Sequence, residues 1–253
     1  MKRQINNFKF NQIIKATNYF SKKGNTEKVN KLYNYVLNNA DNNQCLYFAT
    51  NFGGIVDISK LEDRFINNGN YYELSRLVDV NGVNLDKIVD FYISLDSKNS
   101  SEVGLGHILS RNVDVKNFNK IQKHALETQN EYLCEKLAYN GNNCDIENIS
   151  KIIYASDDYK LINRFYITNK KVDKKQCFEV LKNAMLNNCG NYSELVDFVK
   201  DYKSNLTNED IENFKEKMIN ATKNFFTCWE LEDKPEQCKQ VIESIKSGEV
   251  FEL

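Results

Sequence analysis

The sequence predicts an all-α chain, an α-solenoid of about seven stacked helical hairpins with atypical ends. Three observations predict it. Apolar residues recur every three to four positions through most of the chain. A single proline, Pro235, stands among 253 residues, so little interrupts a helix. One short opening motif also returns at nearly constant intervals, which is the mark of a repeat architecture.

The first helix is expected over residues 7–21, where Phe10, Ile13, Ile14, Thr17 and Phe20 share one face and Lys22-Lys23-Gly24 supplies the stop. Thr26-Glu27-Lys28-Val29 begins the next helix, with Leu32, Tyr33, Val36 and Leu37 as its apolar set. Residues 1–39 carry eight basic side chains against Glu27 alone, a local charge of +7. A polar, basic end suits a terminal cap whose outer face meets water.

The fullest copy of the repeat runs from Val56 to Asn84. Asp57 can cap a helix whose apolar residues Ile58, Leu61, Phe65 and Ile66 lie on one side, with Lys60, Glu62, Asp63 and Arg64 mostly off it. Asn67-Asn68-Gly69-Asn70 stops that helix, because glycine adopts the left-handed conformation that closes one. A second helix follows from about Tyr71 with Tyr72, Leu74, Leu77, Val78 and Val80 assigned to the core, and Asn81-Gly82 ends it.

The opening returns as Val83-Asn84-Leu85, Val113-Asp114-Val115, Cys144-Asp145-Ile146 and Val172-Asp173-Lys174, at intervals of 27, 30, 31 and 28 residues, and Leu206-Thr207-Asn208 follows 34 later. Second helices begin with tyrosine at Tyr72, Tyr132, Tyr159 and Tyr192. The segments Leu46-Tyr47-Phe48-Ala49, Gly53-Gly54, Lys60-Leu61-Glu62-Asp63 and Gly69-Asn70 resemble the helical-hairpin repeats, of Lys-Leu-Glu, Gly-Asn and Phe-Ala type, found in proteins of low-GC bacteria and their phages. The resemblance is clear over about residues 44–85. It implies a fold of the general ankyrin or HEAT kind and no shared activity. No Thr-Pro-Leu-His is present, so the chain is not read as ankyrin itself.

The repeat region with its N-terminal cap is expected over residues 1–206, and a continuous C-terminal helical cap over 207–253. The cap carries eleven acidic and six basic side chains, a charge of −5. Ile211 to Met218 reads as an amphipathic helix, Phe225-Phe226-Thr227-Cys228-Trp229 concentrates apolar area, and Pro235 suits the first position of a last helix ending at Ser247-Gly248.

The 37 asparagines gather between helices, where turn and capping conformations are needed. Seven cysteines without a Cys-X-X-Cys read as reduced core thiols. No apolar run reaches the roughly 18 residues of a membrane span and no leader peptide is evident, so a cytoplasmic location is expected. Only His107 and His124 are available as imidazoles, and no phosphate loop, nucleophile elbow or paired metal motif occurs. The chain is therefore expected not to be an enzyme and to need no cofactor and no metal. Gly104-Leu105-Gly106-His107 is the local oddity, read as a tight contact between neighbouring helices, with a ligand-approach or hinge role as the alternative.

What remains is non-catalytic protein binding, through the concave surface of the solenoid or its ridge of loops. Its expected contacts are Glu73, Arg76, Glu135, Lys136, Lys160, Asn163 and Arg164, together with Phe225, Phe226 and Trp229 as aromatic anchors. The phage-like repeat and compact size give a narrower expectation: a phage or mobile-element protein that binds and inhibits a host defence component, in the manner of an anti-CRISPR. The alternative is single-stranded nucleic-acid binding, favoured by lysines interleaved with aromatics at Tyr19-Phe20-Ser21-Lys22-Lys23 and from Tyr166 to Lys175. The net charge of −1 weighs against a general polyanion binder.

Overall fold

A computed structural model describes residues 5–95, 98–111, 113–140, 144–228 and 235–251, with the backbone alone at 98, 226–228 and 235. Among the described residues the chain is all-helical, with no strand. It divides into two compact units, Met1–Asp145 and Ile146–Leu253.

The first unit contains α1 (Asn7–Lys22), α2 (Thr26–Asn39), α3 (Asn42–Phe52), α4 (Ser59–Asn67), α5 (Tyr71–Leu77), α6 (Leu85–Ile93), α7 (Lys98–Leu109), α8 (Val115–Glu127) and α9 (Glu131–Asn140). Asparagine and aspartate start many of these helices. Asn6, Asn25, Asp41, Asn84 and Asp114 each accept a backbone N–H of the first turn, satisfying donors that an isolated helix leaves open. Asp57 does the same, accepting both the amide (3.1 Å) and the hydroxyl (2.6 Å) of Ser59. Gly24, Gly69 and Gly82 have φ of +66°, +65° and +88°, the left-handed stops their positions call for.

Helices α4 and α5, α6 and α7, and α8 and α9 pack as successive hairpins. The second helices then pack in a row, α3 on α5, α5 on α7 and α7 on α9, while α6 packs on α8. Leu61, Phe65, Leu74, Leu77, Ile88, Leu105, Ile121, Leu133 and Leu137 are fully buried between the two rows.

The two glycines of α7 are spacers. A Cβ on Gly104 would stand 2.1 Å from the Tyr92 ring, and one on Gly106 would stand 2.7 Å from the Tyr132 ring. Tyr92 is buried against Gly104 and its hydroxyl donates to the Tyr71 carbonyl at 2.6 Å, tying α6 to the start of α5. The tight-contact reading of this segment therefore holds, with one glycine serving α6 and the other α9.

Two expectations for α4 are corrected. Glu62, expected off the buried face, is 1% exposed, accepts the Asn84 amide at 2.7 Å and lies 3.5 Å from Lys87. Arg64 reaches back to the Leu37 and Ala40 carbonyls, the Asn42 amide oxygen and the Cys45 sulfur. Glu62 and Arg64 thus face neighbouring elements and serve as links, while Lys60 and Asp63 on the same flank are exposed. A ladder continues along the first-helix row. Lys87 pairs with Asp63 at 2.7 Å, Lys116 pairs with Asp86, and Lys120 pairs with Asp86 at 3.2 Å and Asp90 at 2.7 Å.

The second unit contains α10 (Ile146–Ala155), α11 (Tyr159–Thr168), α12 (Lys174–Asn188), α13 (Tyr192–Tyr202), α14 (Asn208–Cys228) and α15 (Pro235–Ser247). Asp158, Asp173 and Asn191 cap α11, α12 and α13. Thr207 and Asp210 bond each other reciprocally at the start of α14. An aromatic cluster of Tyr166, Phe178, Phe198, Tyr202 and Phe214 joins α11 to α14, with Phe178 and Phe198 stacked at 6.2 Å and Phe198 lying 5.2 Å from Phe214. The expected boundary at 206/207 falls inside this unit, where α14 packs on α12, α13 and α15. The helix is longer than the Ile211–Met218 pattern suggested, since it continues through Phe225.

Three substitutions test this packing and capping. Gly104→Ala gains about 1 kcal/mol of helix propensity but forces a methyl into the Tyr92 ring, so urea unfolding should show a net loss of roughly 1–3 kcal/mol. Gly190→Ala, with open space around its Cα, should be neutral or stabilising. Asp114→Ala should cost about 1 kcal/mol through loss of the cap on the Asn117 amide, read as a lower urea midpoint at unchanged slope.

Candidate functional site

The second-helix row of the first unit leaves one side open. An exposed groove of about 660 Å³ crosses it, lined by Leu46 and Thr50 of α3, Tyr72, Ser75 and Arg76 of α5, Val103, Gly106 and His107 of α7, and Tyr132 and Lys136 of α9, with Asp79, Ser110 and Arg111 at its edge. Residues four apart on a helix share a face, so three equivalent pairs recur: Tyr72 and Arg76, Val103 and His107, Tyr132 and Lys136. Across the row these form two parallel lines, one apolar and one cationic or titratable.

Here the structure corrects the role of the opening tyrosines. Assigned to the core, Tyr72 is 67% exposed; Tyr132, which opens α9 in the same way, is 38% exposed, and Val103 between them is 59% exposed. Leucines further along each helix, Leu74 and Leu77 on α5 and Leu133 and Leu137 on α9, take the buried side, which turns the tyrosines outward. Each carries a cation over its ring. Arg76 lies 5.7 Å from the Tyr72 centroid, and Lys136 lies 5.3 Å from that of Tyr132. Arg111 is paired with Asp79 at 3.2 Å.

His107 sits at the floor, half-buried, with its Nε2 enclosed and without a hydrogen-bond partner. Burial lowers its pKa, the nearby Arg111 and Arg76 guanidiniums act in the same direction, and Asp79 opposes them. A neutral imidazole between two cations keeps the groove from accumulating further positive charge at neutral pH.

Of the residues expected to bind, Arg76 and Lys136 are therefore brought together in one groove. Glu73 lines an adjoining hollow with Tyr72, Asn99, Val103 and Gly104. Glu135 is half-buried on α9 and lines neither. Lys160, Asn163 and Arg164 line a separate hollow in the second unit together with Glu194, Asp197 and Asp201, where Lys160 pairs with Glu194 at 3.1 Å and Asn163 accepts the Tyr202 hydroxyl at 2.8 Å. That hollow carries more acid than base, the opposite balance to the groove. Phe225 is 54% exposed beside an apolar hollow lined by Tyr192, Ala221, Thr222 and Val241. The Phe226 side chain and Trp229 lie outside the described residues. His107, Val103 and Arg111 were not among the expected contacts. The signal for them is the four-residue spacing from the row position of Tyr72 and Tyr132, which the glycines of α7 conceal.

Among the described residues no group of three His, Cys, Asp or Glu is placed to hold a metal ion, and no helix is long and apolar enough to cross a membrane. No family model, no curated protein and no solved structure matches the chain.

The histidines give a pH test. Burial lowers the pKa of both His107 and His124 in the folded protein, so the unfolded chain binds more protons once pH falls below about 6.5. Stability contributed by the neutral imidazoles is complete above that value and declines as pH falls from about 6.5 toward the folded pKa values. The urea midpoint should fall between about pH 7 and 5.5, and His107→Gln with His124→Gln should flatten that slope. The carboxylates held low, among them Asp86 and Asp114, act in a lower window below about pH 4.

Proposed function

We propose that the stacked hairpins of the first unit form a stretch of α-solenoid and that the chain is a non-catalytic protein-interaction module docking its partner along the second-helix row. The observation that carries this reading is the groove itself. It is open, it runs across α5, α7 and α9, and it presents exposed tyrosine rings with an arginine and a lysine beside them, tyrosine and arginine being among the side-chain types that dominate protein-binding hot spots. Its polar groups are spread along a surface instead of converging on one reacting position, as general acid–base chemistry requires.

A stoichiometric inhibitor needs no more than such a surface, and this agrees with the expectation of a phage-type protein that blocks a defence component. Single-stranded nucleic acid is the second reading, favoured by the Tyr72–Arg76 and Tyr132–Lys136 ring and cation pairs.

Capture from a bacterial lysate with the wild-type chain and with Arg76→Glu/Lys136→Glu, followed by mass spectrometry, tests the docking reading. A protein recovered near stoichiometrically by the wild type should be depleted roughly tenfold or more by the charge reversal. Equal recovery by both would remove the groove as the docking surface. A gel shift that weakens with rising salt would favour nucleic acid instead.

A further inference from the structure

We infer that the groove takes an extended acidic segment of a partner protein, its apolar side chains lying along Tyr72, Val103 and Tyr132 and its carboxylates facing Arg76 and Lys136. This rests on the docking reading and specifies the chemistry of the occupant.

The exposed line is contiguous. Tyr72, Val103 and Tyr132 come from three successive helices of one row, and all three are open to solvent. One turn further along each helix stand Arg76, His107 and Lys136. Packed helices lie about 8–10 Å apart, so the positions of Arg76 and Lys136, two helices apart, are separated by roughly 16–20 Å. An extended chain rises about 3.3 Å per residue, and about five or six residues cover that span. A peptide with a carboxylate near each end of such a stretch and apolar groups between meets a cation at each end and apolar surface in the middle.

The same spacing disfavours a polyphosphate. The groove offers a cation on α5 and another on α9 with a neutral histidine between them, not a continuous basic track; Asp79, paired with Arg111, stands at its edge, and Glu73 lines the adjoining hollow. A strand with a charge at every nucleotide would set phosphates against those carboxylates. Discrete acidic side chains separated by apolar ones avoid them.

Fluorescence anisotropy with the full chain provides the test. The probes are a labelled peptide with glutamate at every third position and leucine or phenylalanine between, the same peptide with glutamine in place of glutamate, and an oligothymidylate of about 12 nucleotides, a length usual for single-strand sites. The acidic peptide should bind, its glutamine counterpart should bind roughly tenfold more weakly or not at all, and Arg76→Gln/Lys136→Gln should weaken the acidic peptide by a similar factor. Tyr72→Ser/Tyr132→Ser should weaken it about fivefold or more. Tyr72 and Arg76 are exposed, Lys136 is half-buried and Tyr132 also packs against Gly106, so circular dichroism must show each variant folded at the assay temperature, and Tyr72→Ser alone must weaken binding in the same direction.

Equal binding of the two peptides, indifference to the charge substitutions, no binding of the acidic peptide, or tighter binding of the oligonucleotide would each overturn the assignment. Self-association lost in Arg76→Gln/Lys136→Gln would overturn it too, by making a second copy the occupant. Where lysate capture still depends on Arg76 and Lys136 but the acidic peptide fails, only the acidic class is wrong. Where both fail, the docking reading falls with it.

Discussion

The first unit depends on how closely α7 approaches its neighbours. Its hairpins are short, with α4 and α6 of nine residues and α5 of seven, and helices of that length are marginal without tertiary burial. Each hairpin needs the next one pressed against it. At α7 the contact is made by removing side chains, so that Tyr92 fills the space at Gly104 and Tyr132 the space at Gly106. Glycine costs helix propensity of about 1 kcal/mol at each position, and burial of the Tyr92 ring offsets it at a typical 1.5–3 kcal/mol for a large side chain. The tyrosine at Gly106 is only partly covered. Its remaining face is what the groove presents.

The two rows divide the electrostatic work. On the first-helix row, lysines of one hairpin meet carboxylates of the preceding one; the buried Glu62 accepts the Asn84 amide at Oε1, while its Oε2 has no hydrogen-bond partner and Lys87 stands 3.5 Å from it. Exposed pairs of this kind contribute little each, but Glu62 is different because removing its partners would strand a buried charge. On the second-helix row, Arg76 and Lys136 lie over tyrosine rings instead of meeting carboxylates of adjacent hairpins. Charge that is not committed to holding the stack is charge available to a partner.

Much of the local structure was legible in the sequence, because capping and helix stops act within a few residues. The openings at Asn84, Asp114 and Asp173 are caps, and Gly69 and Gly82 are left-handed stops. What was not legible is set by which neighbour covers which face. The links of Lys87 to Asp63 and Lys120 to Asp86 join residues 24 and 34 apart, and no helical periodicity reports such a distance. The burial of Glu62 and the reach of Arg64 to α2 and α3 escape for the same reason. Tyr72 misleads in the opposite sense, since an aromatic at the start of an amphipathic helix reads as core until the leucines behind it are seen to fill the interior.

Arg76 and Lys136 could be picked from the sequence because they are polar and follow an opening tyrosine; the groove that unites them could not. Its middle position belongs to α7, where valine replaces tyrosine at 103 and histidine replaces a constant cation at 107. The substitution is coupled to the glycines. A helix thinned at 104 and 106 brings its backbone close to Tyr92 and Tyr132, so a full aromatic at 103 would be redundant there and a permanent charge at 107 would lie half-buried between Arg76 and Arg111. A histidine whose pKa is lowered by that burial avoids the cost of an enclosed third cation while leaving the two outer ones in place. The departure of this one repeat from the others is thus the means by which tight packing and an open cationic groove coexist on the same row.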